Sequence, residues 1–107
     1  MNVDHADTSP VAVLAAHLTK DRAVIVVAVC TETVAGDDLP TFDIGYPTAT
    51  AAFLATAVLS AGVAGNVFVG AGVLPATRAL NVTIGTGGTV TNDAGKYAVS
   101  VLALPTS

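Results

Sequence analysis

RAVIVVAVCTETVA, residues 22–35, is the stretch on which the fold turns. Val24, Ile25, Val26, Val27 and Val29 are β-branched and stiff at χ1, which favours the pleated backbone. The first half of the run is apolar on both sides. Only from Thr31 does it alternate, with Thr31 and Thr33 on one side and Glu32 and Val34 on the other. A strand with one wet face alternates apolar and polar residues, so this strand is expected to begin between two layers and finish near water. AGKYAVSVLALP, residues 94–105, poses the same problem close to the end of the 107-residue chain. The expectation is that both strands are covered twice, by their own fold and by other protein.

Outward from this strand the chain reads as β almost throughout. Residues 10–18, PVAVLAAHL, place apolar side chains at 11, 13 and 15, the period of a strand. The polar TKD at 19–21 then suits a hairpin into residue 22. GDDLP at 36–40 is a turn, and TFDIG at 41–45 is a short strand with Phe42 and Ile44 on one face and Asp43 opposite. NVFVG at 66–70 is another strand, and ATRALNVTIG at 76–85 alternates Leu80, Val82 and Ile84 against Asn81 and Thr83. TGGTVTNDAG at 86–95 supplies two turn clusters around a short strand at 89–91, and Pro105 closes the last strand.

The stretch at 46–65 is Ala-rich, and Ala is the strongest helix former. Phe53, Leu54, Ala57 and Val58 sit at helical spacing and Thr50 could cap them, so one short helix near 50–57 is expected, or an irregular connection carrying one helical turn. Short strands every 8–12 residues or so, with turn signals between them, suggest a β-sandwich or small barrel. The predicted fold class is all-β: one domain over residues 10–107 with 7–8 short antiparallel strands, jelly-roll- or Greek-key-like, preceded by a flexible polar arm at 1–9.

Charged residues make up only 11% of the chain, against about 25% in a typical domain, while 52% is hydrophobic. Much of the surface must therefore be Thr, Ala, Ser and Gly, which suits a protein packed against others. The net charge of −4, with only Lys20, Arg22, Arg78 and Lys96 as bases, argues against nucleic acid. No stretch reaches the roughly 18 uninterrupted apolar residues of a membrane span. The opening MNVDHADTSP has neither the basic segment nor the apolar core of a secretory signal, so a soluble protein made in a reducing compartment is expected.

The residues able to carry chemistry are few and scattered. Cys30 stands in an apolar run whose surroundings would raise its pKa and leave it inert. His5 reads as solvated in the arm, and His17 as a partly buried, hydrogen-bonded side chain. A zinc site would need three or four ligands at recognisable spacing. Asp37, Asp38 and Asp43 form the one acidic cluster, which reads as a solvated turn, since calcium takes about six to eight oxygens from a more acidic loop. GTGG at 85–88 lacks the lysine and the helix of a phosphate loop and reads as a hairpin turn. NVT at 81–83 matches a glycosylation acceptor by chance, mid-strand. No catalytic, cofactor or metal residue is expected, and the chain is read as a non-enzyme.

The line from TFDIGYPTATAAFLATAVLS through AGVLPATRALNVTI to the Gly-rich turn and GKYAVSV resembles small virion proteins of tailed bacteriophages, of the head decoration or cement type. The likeness covers about residues 22–105. It implies a β-rich, often trimeric protein on the outside of the capsid that clamps neighbouring major-capsid subunits after the shell expands. The expected function is accordingly structural, with the chain itself (a homotrimer) and the major capsid protein as partners, and the capsid surface as its place after synthesis in the host bacterial cytoplasm. No nucleic acid, membrane or cofactor is expected. The alternatives are a tail, fibre or head–tail joining component, or a small ligand- or carbohydrate-binding β-module. The last would present exposed aromatics over a groove, whereas most of Phe42, Tyr46, Phe53, Phe68 and Tyr97 fit the core.

Overall fold

A computed structural model describes residues 1–4, 10–14, 21–36, 40–55, 59, 61–85 and 94–104. Within them are eight strands: β1 Asn2–Asp4, β2 Val11–Leu14, β3 Arg22–Ala35, β4 Thr41–Tyr46, β5 Ala49–Leu54, β6 Val67–Leu74, β7 Leu80–Gly85 and β8 Ala94–Ala103. They form two four-stranded sheets, ordered β1-β8-β3-β6 and β2-β7-β4-β5, and every pairing is antiparallel. The pairs β1–β8, β2–β7, β3–β6 and β4–β5 make one long antiparallel ribbon folded over on itself. That topology is an eight-stranded jelly roll, an all-β sandwich as expected from the strand spacing.

β3 is the axis of the first sheet, bonded to β8 on one edge and β6 on the other. Its side chains alternate along its whole length. Val24, Val26, Ala28 and Cys30 are buried, while Ile25, Val27 and Val29 point the other way and are half-buried. Facing the inner set are Phe42 and Ile44 of β4 and Leu80 and Val82 of β7. Phe42 meets Tyr97 of β8 edge-on across the two sheets, ring centroids 5.2 Å apart and planes inclined by 68°. Such a pair adds about 0.5–1.5 kcal/mol beyond the area it buries. Along one side of the sandwich, Phe53 of β5 packs beneath Gly70 and Gly72 of β6.

Three expectations need correction. Residues 50–54, the first part of the short helix or irregular connection expected near 50–57, belong to strand β5. Tyr46 and Ala49 are register partners around a two-residue turn begun by Pro47, a residue that favours this position. Gly45 makes the return possible, because a Cβ there would overlap the Ala49 and Thr50 backbone. The helix propensity of Ala is overridden by this ladder. Leu59 N–H does donate to the Ala55 carbonyl at 3.1 Å, a bond of helical spacing, and residues 56–58 lie outside the described residues.

The second correction concerns the hairpin at 19–21. β2 and β3 belong to different sheets and are not paired with each other; residues 15–20 lie outside the described residues. Both runs are apolar because each feeds the same core from opposite layers. The third concerns the arm: Asn2–Asp4 is an edge strand, pairing with Lys96–Ala98, with Val3 buried and Val99 N–H donating to the Met1 carbonyl at 2.7 Å. One apolar residue among polar neighbours suffices to anchor it. Residues 5–9 and the expected strand at 89–91 lie outside the described residues.

Between β6 and β7 the chain turns with Arg78 N–H donating to the Pro75 carbonyl at 3.3 Å, and Thr77 takes φ +64°. A β-branched residue in the left-handed region is strained by about 1–2 kcal/mol. Thr77→Gly relieves this and gives back part of it as backbone entropy. The variant is expected to be about 0.5–1 kcal/mol more stable than the parent in urea titration.

Candidate functional site

The site is a surface. On β3 the residues that point away from the core are Ala23, Ile25, Val27 and Val29. In register beside them on β6 stand Val73, Ala71, Val69 and Val67. On the other flank, β8 contributes Leu102 opposite Ile25, Ser100 opposite Val27 and Ala98 opposite Val29. The outer face of the first sheet is thus a continuous field of Val, Ile, Leu and Ala with one serine. Val67, Val69, Val73 and Leu102 are 58%, 62%, 55% and 60% exposed. Singly exposed apolar residues are ordinary; a contiguous exposed field such as this one is a candidate interaction surface.

The outer face of the second sheet is polar along its two central strands, β7 and β4. Thr41 and Asp43 of β4 and Asn81 and Thr83 of β7 occupy its outward positions. The difference between the sheets is one of kind, because both are built on equally alternating strands.

The apolar field has a charged boundary at the β1 end. Lys96 Nζ lies 3.7 Å from Asp4 Oδ2 and 3.8 Å from Glu32 Oε2, and Glu32 Oε1 accepts from Gly95 N–H at 3.0 Å. These groups are substantially exposed, so the ion pairs add little stability; they mark the rim. An open depression of about 450 Å³ lies there, lined by Asn2, Val3, Asp4, Thr31 and Lys96.

The residues weighed for chemistry are dispersed. Cys30 is buried on the inner side of the first sheet, its Sγ–H donating to the Glu32 carbonyl at 3.1 Å. Burial pushes its pKa up, which keeps the thiol protonated and unreactive. Beside it the Tyr97 hydroxyl donates to the Leu59 carbonyl, in a space open only because Gly62 has no Cβ. Asp43 is half-buried on the far side of the second sheet, in register with Thr83. Asn81 lies mid-strand, between Ala12 and Gly45. His5, His17, Asp37, Asp38 and residues 86–88 lie outside the described residues. Among those described, no three His, Cys, Asp or Glu side chains could share a metal ion, and no helix is long and apolar enough to cross a membrane. Compared with known proteins, the chain matches no family model, no curated protein and no solved structure.

Sequence reasoning located the excess of apolar residues in β3 and β8 and the first half of β6, but missed residues 71–74 of β6. The strand signal there stopped at Gly70, although GAGVL at 70–74 continues the alternation. The usable signal was the absence of any polar residue at 67, 69, 71 and 73.

Burial has a consequence at high pH. Tyr97 is raised far above its ordinary value of 10.0, chiefly by desolvation, and Cys30 above 9.0 for the same reason. Above pH 9–10 the unfolded chain releases protons that the folded chain keeps, so stability is full below that range and falls as pH rises through it. Denaturation midpoints measured from pH 7 to 11 are expected to drop most steeply above 10. Tyr97→Phe should flatten that slope while costing about 1 kcal/mol at neutral pH through the lost hydrogen bond.

Proposed function

We propose that this protein is a non-enzymatic virion component of the head decoration type, which lays the outer face of its first sheet against the major capsid protein and neighbouring copies. The observation that carries this reading is the one-sided distribution of apolar residues. One outer face is polar along its two central strands, and the other carries valine, isoleucine and leucine, with Val67, Val69, Val73 and Leu102 exposed.

The jelly roll is common to viral capsid, lectin and cupin domains, so the fold alone does not choose between them. The surface does favour one. A lectin-like module needs exposed rings to stack on sugars, whereas all five aromatics here are buried or packed against the core, Tyr46 on Phe53 and Phe68 on Tyr97. A clamp needs contact area free of charges that must be desolvated. Apolar burial supplies roughly 25 cal/mol per Å² before association costs are subtracted. Repetition over a symmetric shell adds avidity without stronger single contacts. The threefold grouping implied by the resemblance would place several such faces side by side.

Immunogold labelling of purified particles with antibody to the chain tests the reading. Label spread over the whole head is expected. Label confined to one vertex or to the tail would replace decoration with a joining or tail role, and unlabelled particles would remove the protein from the virion altogether.

A further inference from the structure

The most exposed part of the apolar field is also a sheet edge. In an antiparallel pair, residues alternate between those that exchange backbone hydrogen bonds with the partner and those that point away. Cys30 N–H donates to the Asn66 carbonyl at 2.9 Å, so the even residues of β3 bond to β6. Leu104 N–H donates to the Ala23 carbonyl at 2.9 Å, so the odd ones bond to β8. On β6 it follows that Phe68, Gly70, Gly72 and Leu74 face β3. The amide groups of Val67, Val69, Ala71 and Val73 project from the free edge, and no described residue bonds to them. The packing of Phe53 comes from beneath, on the inner side.

Natural sheets guard such edges with short strands, charges or proline. The opposite edge of this sheet is guarded: β1 has three residues and carries the Asp4–Lys96 pair. β6 has eight residues, VFVGAGVL, with no charge and no proline. Its centre reads Val69-Gly70-Ala71-Gly72-Val73, the same in both directions about Ala71. An antiparallel strand placed on this edge by a two-fold axis at Ala71 would set Ala71 opposite Ala71, Val69 opposite Val73 and Gly70 opposite Gly72. The residues whose N–H and C=O project would then meet in bonded pairs, two hydrogen bonds at each. Side chains opposite one another would match in size on both faces.

We propose that β6 is a self-pairing edge: two copies of this chain join β6 to β6 across a two-fold axis at Ala71, making one continuous eight-stranded sheet with a single apolar outer face. The contact is by strand addition and is isologous. It leaves the outer face and the β1 edge of each copy free, so it is compatible with threefold contacts elsewhere. It goes beyond the virion reading and does not depend on it.

Sedimentation equilibrium of the purified chain tests this. The parent protein is expected as a dimer of the 10.5 kDa chain, or as an even-numbered assembly. Ala71→Pro removes the donor at the axis, an N–H with no described partner inside the chain, and proline is tolerated on edge strands. That variant should sediment at half the parent mass with an unchanged far-ultraviolet circular dichroism spectrum. Ala71→Cys provides a second measurement that does not depend on the proline variant folding. The Cβ atoms of a bonded antiparallel pair lie about 5.5 Å apart, too far for a relaxed disulfide but within the span of a short bis-maleimide. A short bis-maleimide should therefore convert it to a covalent dimer on a denaturing gel, while the parent, whose Cys30 is buried, stays uncrosslinked. A monomeric parent, an unchanged mass for folded Ala71→Pro, or no covalent dimer from Ala71→Cys would each overturn the proposal. Particle labelling that fails while pairing persists would count against the virion reading alone.

Discussion

The structure depends on the double engagement of β3. From residue 23 to 29 that strand sends hydrogen bonds alternately to β6 and β8 while its side chains alternate between core and exterior. The two alternations are locked together, because each step along a strand reverses both the amide direction and the side-chain face. Hence the residues of β3 that bond to β6 are the ones that fill the core, and those that bond to β8 are the ones that look outward. Register on both flanks is fixed as soon as Val24, Val26 and Ala28 are buried, since a slip of one position would turn the core set outward. The same rule carries to β6, where the exposed valines and the unbonded edge amides belong to the same residues.

Much of this architecture could be read from the chain. β-branched runs and turn clusters at short spacing marked most of the strands, and alternation at Phe42 and Ile44 and at Leu80, Val82 and Ile84 assigned inner faces that the structure shares. What escaped was long-range. β2 and β3 follow one another across a polar turn, which locally looks like a hairpin; only the competition for partners, β7 against β6 and β8, sends them to different layers. β5 looked helical because Ala dominates it, and its conversion depends on the turn at Pro47 and the absence of a Cβ at Gly45. The edge strand at Asn2–Asp4 hangs on the single buried side chain of Val3, too little for periodicity to register.

The surface was legible as a deficit before it was legible as a place. Too few charges and too many valines said that some face lacked solvent-adapted residues; they did not say which. The pairing of β3 with β6 gathers Ile25, Val27 and Val29 beside Val67, Val69 and Val73 and so turns a compositional bias into one field. The chemistry-bearing residues among those described received the opposite treatment. Cys30 went to the interior of one sheet and Asp43 to the far side of the other, so neither supports the other.

The lack of charge on that field also sets how any contact made through it responds to its surroundings. Salt acts on interactions between charges, and the outward positions of β3 and β6 from 23 to 29 and 67 to 73 carry none. Such a joint is indifferent to ionic strength over the ordinary range. Its strength comes from water released off hydrocarbon, which weakens on cooling. An assembly held through this face would therefore be cold-labile, and chilling, more than dilution into brine, would loosen it.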